Sequence, residues 1–190
     1  MSAHVKLLVT TTAAISAVLL GGQPAEAGTV EDVSDTFHDV FSNTCDGPEG
    51  AFEVVSDISG SFHYRLRRHG PDSNLYFAEH GSQTETHSNP ATGRSWTAER
   101  TWHEHDTKIL TVDGDLFTVR VQYDSRFVVF DETGATDSTN RGVSTFVLAV
   151  DTQGTPDPAD DESDFVELIK SVGQNDVGDF CDDAVRFIVS

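Results

Sequence analysis

Lysine and methionine are almost missing from this chain: three and one among 190 residues. Basic side chains number 12 against 32 acidic ones, a formal net charge of −20. A polyanion of this kind repels nucleic acid and anionic membrane surfaces, so both are excluded as partners. Cysteine is limited to Cys45 and Cys181, too few for a disulfide-dense miniprotein or a four-cysteine zinc site. The chain lacks a Gly-x-Ser-x-Gly elbow, a His-Glu-x-x-His motif, a P-loop and a Gly-x-Gly-x-x-Gly fingerprint. With so many carboxylates, no catalytic pair stands out, and no catalytic residue is assigned. After residue 27 no apolar run reaches the roughly 20 residues that a helical span needs.

What is present is enough for a core. Apolar residues make up 37 %, and twelve are Phe, so the acidity does not mark a disordered chain. Lys6 precedes an uncharged run from Leu7 to Leu20, broken by Gly21, Gly22 and Pro24. Ala25-Glu26-Ala27 then fits a small-x-small cleavage site. This is the pattern of a secretory signal peptide over 1–27, followed by one secreted domain over 28–190. The alternative for the first segment is an anchor helix, for which the apolar run is short. No cysteine follows the run, which excludes a lipid-modified one there. Export would leave 163 residues, still at −20. An oxidising compartment favours pairing Cys45 with Cys181, which would bring the two ends of the domain together.

The middle of the chain alternates with period 2, as half-buried strands do. Segments 36–41, 51–58, 62–66, 75–87, 94–112, 116–123, 127–130 and 143–150 read as strands. Gly81 is a candidate bulge, Asp113-Gly114 a tight hairpin turn, and Asp131 to Gly142 a turn-rich connection. Phe165, Val166, Leu168, Ile169 and Val172 share one face of a helix, so 165–172 reads as a short C-terminal helix. Val185, Phe187 and Val189 alternate, so 182–189 reads as a last strand. The expected fold is all-β: a single antiparallel up-and-down β-barrel of about eight to ten strands with a short C-terminal helix. A sandwich is the alternative.

Phe41 to Cys45 near the mature start, the Asn89-Pro90-Ala91-Thr92-Gly93 hairpin, and the closing Phe180-Cys181-Asp182 resemble a group of uncharacterised secreted actinobacterial proteins. The likeness would cover nearly all of the mature chain. It implies a single secreted β-barrel with one disulfide and brings no established activity.

Trp102-His103-Glu104-His105 is the sharpest local feature. On a strand, His103 and His105 project to one face roughly 7 Å apart. If the loop is Asn89 to Thr92, Ser88 pairs with Gly93, and His80 lies diagonal to His103 on that same face. His80, His103 and His105 are therefore a candidate zinc or copper site. The alternative is a row of solvated histidines beside Ser95, Thr97, Glu99 and Thr101. The opposite face carries Phe77, Trp96, Arg100 and Trp102, with Glu79 placed diagonal to Arg100. These are candidate ligand-lining residues of a barrel interior, and a plain packed core is the alternative. Asp157, Asp160, Asp161, Glu162 and Asp164 could attract calcium but lack EF-hand spacing. Arg65, Arg67 and Arg68 with His69 form the one basic cluster.

The expected function is non-catalytic binding of a small apolar or amphipathic molecule by a soluble secreted barrel. It needs no cofactor beyond a possible metal, and its oligomeric state is open. A small barrel-type enzyme, and an extracellular interaction or structural protein without ligand, are the alternatives.

Overall fold

A computed structural model of the chain describes residues 28–69, 74–155, 161–173 and 180–189. The signal-peptide reading of 1–27 therefore lies outside the described residues. Seven antiparallel strands follow one another in space as in sequence: β1 (Thr29–Gly47), β2 (Gly50–His69), β3 (Asn74–Ser88), β4 (Ser95–Asp113), β5 (Leu116–Phe130), β6 (Thr136–Asp151) and β7 (Glu162–Gly173). They form one up-and-down sheet in which β1 and β7 are the end strands. The all-β, meandering architecture is as expected. Among the described residues the strand count is seven rather than eight to ten, and the sheet is not closed.

The count drops because two expected breaks are absent. Gly60 is paired on both sides, to Phe37 and to Gln83, so β2 runs straight through it. A Cβ at Gly60 would stand 2.6 Å from the Phe37 ring, so glycine leaves that ring room to cross. Asp124, Ser125 and Arg126 are likewise paired with both β4 and β6, which joins 116–130 into one strand. Gly81 is no bulge either: β3 stays in register with β2 and β4 across it. The hairpin turn after β4 is Gly114-Asp115, with Gly114 at φ 62°.

The two C-terminal assignments are exchanged. The segment 165–172 is not a helix but lies in β7, paired with β6. Register shifts leave Val166 and Ile169 without partners, and these bulges stretch a two-residue alternation to three. Phe165 and Leu168 thus both face the same side, opposite Leu148 and Phe146. A bulged strand reproduces the spacing of a helical stripe. The segment 182–189 is not a strand: α1 (Phe180–Ala184) continues as a π-helical turn over Val185–Val189. Asp182 and Asp183 sit in its first turn, where the helix dipole favours negative charge. Its buried positions, Ala184, Phe187 and Ile188, are spaced three and four apart, a helical stripe that the Val185-Phe187-Val189 alternation masks.

That stripe forms the core. Ala184, Phe187 and Ile188 pack on Cys45, Val54, Trp96 and Val129, with Phe52, Phe127, Phe180 and Cys181 around them. Trp96 lies 6.0 Å from Phe187 and 5.9 Å from Phe180, ring to ring. Cys45 and Cys181 are joined, as the sequence suggests, with Cα atoms 5.4 Å apart. Their separation of 136 residues closes almost the whole described chain. The Asn89 loop adds a further tie, since Thr92 Oγ1 donates to the Ile188 carbonyl at 3.5 Å.

Replacing both cysteines by serine is expected to lower unfolding free energy, by up to about 5 kcal/mol in the chain-entropy view. Ile188→Ala, which empties a fully buried site, is expected to cost about 2–5 kcal/mol. Urea unfolding followed by circular dichroism checks both; unchanged midpoints would show that the C-terminal segment does not anchor the sheet.

Candidate functional site

Pleat alternation divides the sheet into two chemically different faces. The face that carries the C-terminal segment, here the capped face, holds Phe77, Glu79, Gly81, Gln83, Glu85 and His87 of β3. Opposite them on β4 stand Glu104, Trp102, Arg100, Ala98 and Trp96. On β3 and β4 the other face carries mainly Ser, Thr and His.

The register between these strands is set by the hairpin loop. Asn89 N–H donates to the Arg94 carbonyl at 3.0 Å, and the Asn89 carbonyl accepts from Gly93 N–H at 2.8 Å. Asn89 Oδ1 also accepts from Ala91 N–H at 2.9 Å, an Asx turn. The loop is therefore Pro90–Gly93, and Gly93 takes the positive φ of 71° that it requires. The expected loop of Asn89 to Thr92 was one residue early. His80 consequently lies directly opposite His103, not diagonal to it. A shift of two in the partner leaves every side chain on its expected face.

At the capped end the polar groups are consumed internally. Buried Ser56 Oγ is 2.9 Å from His87 Nδ1, and His87 Nε2 is 3.1 Å from Glu85 Oε2. Gln83 Nε2 donates to Glu85 Oε1. The His87 ring centroid lies 4.5 Å from that of Trp96, tilted, and 5.2 Å from that of Phe180, edge to face. Burial raises the Glu85 carboxyl, but the bonds from His87 and Gln83 outweigh it and hold the pKa below its usual value. This Ser-His-Glu chain has the composition of a nucleophilic triad. Ser56, however, has no exposed surface, so no substrate reaches its oxygen. The chain joins β2 and β3 under the C-terminal segment and acts as a satisfied core network. Sequence reasoning missed it because its members are scattered 31 and two residues apart.

The far end of the same face is different. Trp102 lies over Gly81, where any Cβ would collide with the indole. Trp102 Nε1–H donates to Glu79 Oε1 at 2.6 Å. Phe62, Tyr64 and Phe77 continue the aromatic surface, with ring centroids 6.3 and 5.8 Å apart along the row. Arg100 donates to Tyr123 Oη at 2.6 Å. Three carboxyls of β3 and β4 share this surface. Glu104 stands directly opposite Glu79, and Asp106 follows on the same strand and face. Burial, then Glu79, then Asp106 push the Glu104 pKa up to about 7. Burial lifts Asp106 to about 6 although Phe77 N–H donates to it at 2.8 Å. No hydrogen bond reaches Glu104 among the described residues.

The four residues expected to line a ligand therefore separate. Phe77 and Trp102 meet the carboxyl group, while Trp96 is buried in the core and Arg100 lies between the two ends. Arg100 is paired with Gln83 rather than set diagonal to Glu79. In the sequence Glu104 stands out only as the neighbour of two histidines. Its alternation onto the aromatic face was the available signal.

On the other face His63, His80 and His103 occupy directly opposed positions on β2, β3 and β4, followed by Asp124 on β5. His63 and His80 rings are 5.0 Å apart, and His103 and His105 stack at 4.8 Å. Burial and then His103 push the His105 pKa down, with Asp124 opposing. Among the described residues no three donors already converge on one metal position. Of the acidic loop, Glu162 and Asp164 lie in β7 and Asp161 just before it; Asp157 and Asp160 lie outside the described residues. Arg65 faces the histidine side, and Arg67 and Arg68 are exposed near the end of β2.

The chain matches no family model, and no curated protein or solved structure is significantly similar to it. Among the described residues no helix is long and apolar enough to cross a membrane.

The raised carboxyls fix a pH dependence. Folded Glu104 and Asp106 keep their protons above the pKa values of the unfolded chain, near 4.5 and 3.8. Their contribution to stability is thus present at acid pH and is lost as pH rises through about 6 to 7. Relative to wild type, Glu104→Gln is expected to gain stability on the order of 2 kcal/mol between pH 5 and pH 8. Thermal unfolding across that range checks it; parallel curves would show that Glu104 titrates normally.

Proposed function

We propose that the chain is a secreted binding protein for a small amphipathic molecule carrying a cationic group, held non-catalytically on the open part of the capped face. The observation that carries this reading is one surface with two properties. Phe62, Tyr64, Phe77 and Trp102 are half-buried and adjoining, and Glu79, Glu104 and Asp106 share that surface with them. A cation there would relieve the mutual repulsion of the carboxyls, and the rings would take its apolar part and its charge. Arg100, the nearest guanidinium on the face, is engaged by Tyr123.

In this reading the sheet curls about its ligand as a barrel, drawing β1 and β7 together. Exposed Phe41 on β1 and Phe165 and Leu168 on β7 favour that, because all three lie on the capped face. The disulfide supports a non-reducing compartment, and with the 1–27 segment it supports export.

A second reading rests on Glu104 alone. A carboxyl that keeps its proton to about pH 7 is suited to general acid catalysis. It predicts chemical turnover of the bound molecule, abolished in Glu104→Gln, whereas a binding protein returns its ligand intact.

The test compares 4-phenylbutylamine with 4-phenylbutanol by intrinsic tryptophan fluorescence. The amine is expected to bind about tenfold more tightly, and Glu79→Gln/Glu104→Gln is expected to remove that preference. Equal binding of amine and alcohol, or binding of neither, would contradict the proposal.

A further inference from the structure

The outer face carries its own arrangement of donors, independent of the aromatic surface. His63, His80 and His103 stand side by side across three neighbouring strands with no register break between them. Directly opposed residues in an antiparallel pair have Cβ atoms about 4.5–5.5 Å apart. Two imidazoles on such a pair can reach a common ion, since metal–nitrogen distances are about 2.0–2.1 Å. His80 and His103 are exposed, so their rings can turn at little cost.

His63 is already oriented. Its Nε2 lies 2.6 Å from Asp32 Oδ1, which leaves Nδ1 to point elsewhere. A carboxylate on the far nitrogen is the usual support of a metal-bound imidazole, since it fixes the tautomer and raises ligand basicity. The His63 and His80 rings are 5.0 Å apart, edge to face. Around them an open groove of about 540 Å³ is floored by Ser34, Thr36, Ser61 and Ser82, short side chains that leave room for an ion and its waters. At the other end of the ladder Asp124 stands opposite His103 and supplies negative charge.

We propose that His63, His80 and His103 form a surface site for a borderline divalent transition metal of the zinc class, with Asp32 as the positioning residue of His63. The rings close on the ion by rotation, because no three donors converge beforehand among the described residues. His105 is outside the set: it stacks on His103 along the same strand rather than facing His80. Imidazole donors suit Zn²⁺, Cu²⁺ and Ni²⁺, and exclude calcium as the natural occupant.

The experiment is a Zn²⁺ titration of the purified protein, followed by calorimetry and by the ring resonances of the histidines. One equivalent is expected to bind at micromolar concentration, moving His63, His80 and His103 and leaving His38 and His69 unchanged. His63→Gln and His80→Gln are each expected to weaken binding at least tenfold, and Asp32→Asn to weaken it about tenfold. His105→Gln is expected to bind as wild type does. No stoichiometric uptake, or wild-type affinity in both His63→Gln and His80→Gln, would overturn the proposal. The ring resonances of the unaltered protein decide it even where a variant fails to fold: unmoved His63, His80 and His103 signals would overturn it too.

Discussion

The Cys45–Cys181 bond is the constraint on which the arrangement turns. It holds a ten-residue helical segment against one end of one sheet face and nowhere else. A helix so short is unstable alone. Tethered, it places Ala184, Phe187 and Ile188 against Cys45, Val54, Trp96 and Val129, which become the main buried cluster. The sheet is much longer than this plug. Strands of 15 to 20 residues extend past it over β2 to β5, and their capped-face side chains continue without the same cover.

That asymmetry sorts polar groups by their surroundings. Ser56, His87 and Glu85 lie beneath the plug, and each finds a partner, so their burial is compensated. Glu79, Glu104 and Asp106 lie beyond it. Only some of their oxygens are bonded, and burial, then repulsion from Glu79 and Asp106, raises the proton affinity of Glu104. The aromatic rings between them reduce hydration further. A surface of this kind is unfavourable when empty of cations at neutral pH, which is the physical reason for reading it as a site. Gly81 shows that the geometry is specific: glycine at this position is what lets the Trp102 indole lie flat across β3.

Much of this order is legible in the sequence. The alternation of Phe77 and Glu79 against His80 placed them on the right faces, and the two-cysteine supply, read with the expected export signal, pointed to the disulfide. The positions of the histidines on one face also followed, although the loop register was off by one residue. Three things were hidden. A bulged strand from Glu162 to Gly173 carries a helical spacing because Val166 and Ile169 are extra residues. The C-terminal stripe of Ala184, Phe187 and Ile188 coincides with a β-like Val185-Phe187-Val189. His63, the third rung of the histidine ladder, sits on a separate hairpin, and only the full β2–β3 register aligns it with His80. Local periodicity cannot report either bulges or pairings between distant segments.

The central claim is that carboxyls on the open part of the capped face are held in a strained, cation-seeking state. Carbon-13 NMR of the side-chain carboxyl of Glu104 tests this most directly, titrated with pH in the absence and presence of 4-phenylbutylamine. The account predicts a midpoint near pH 7 for the protein alone and a clear downward movement when the amine is added. A midpoint near 4.5 that the amine leaves unmoved would contradict it.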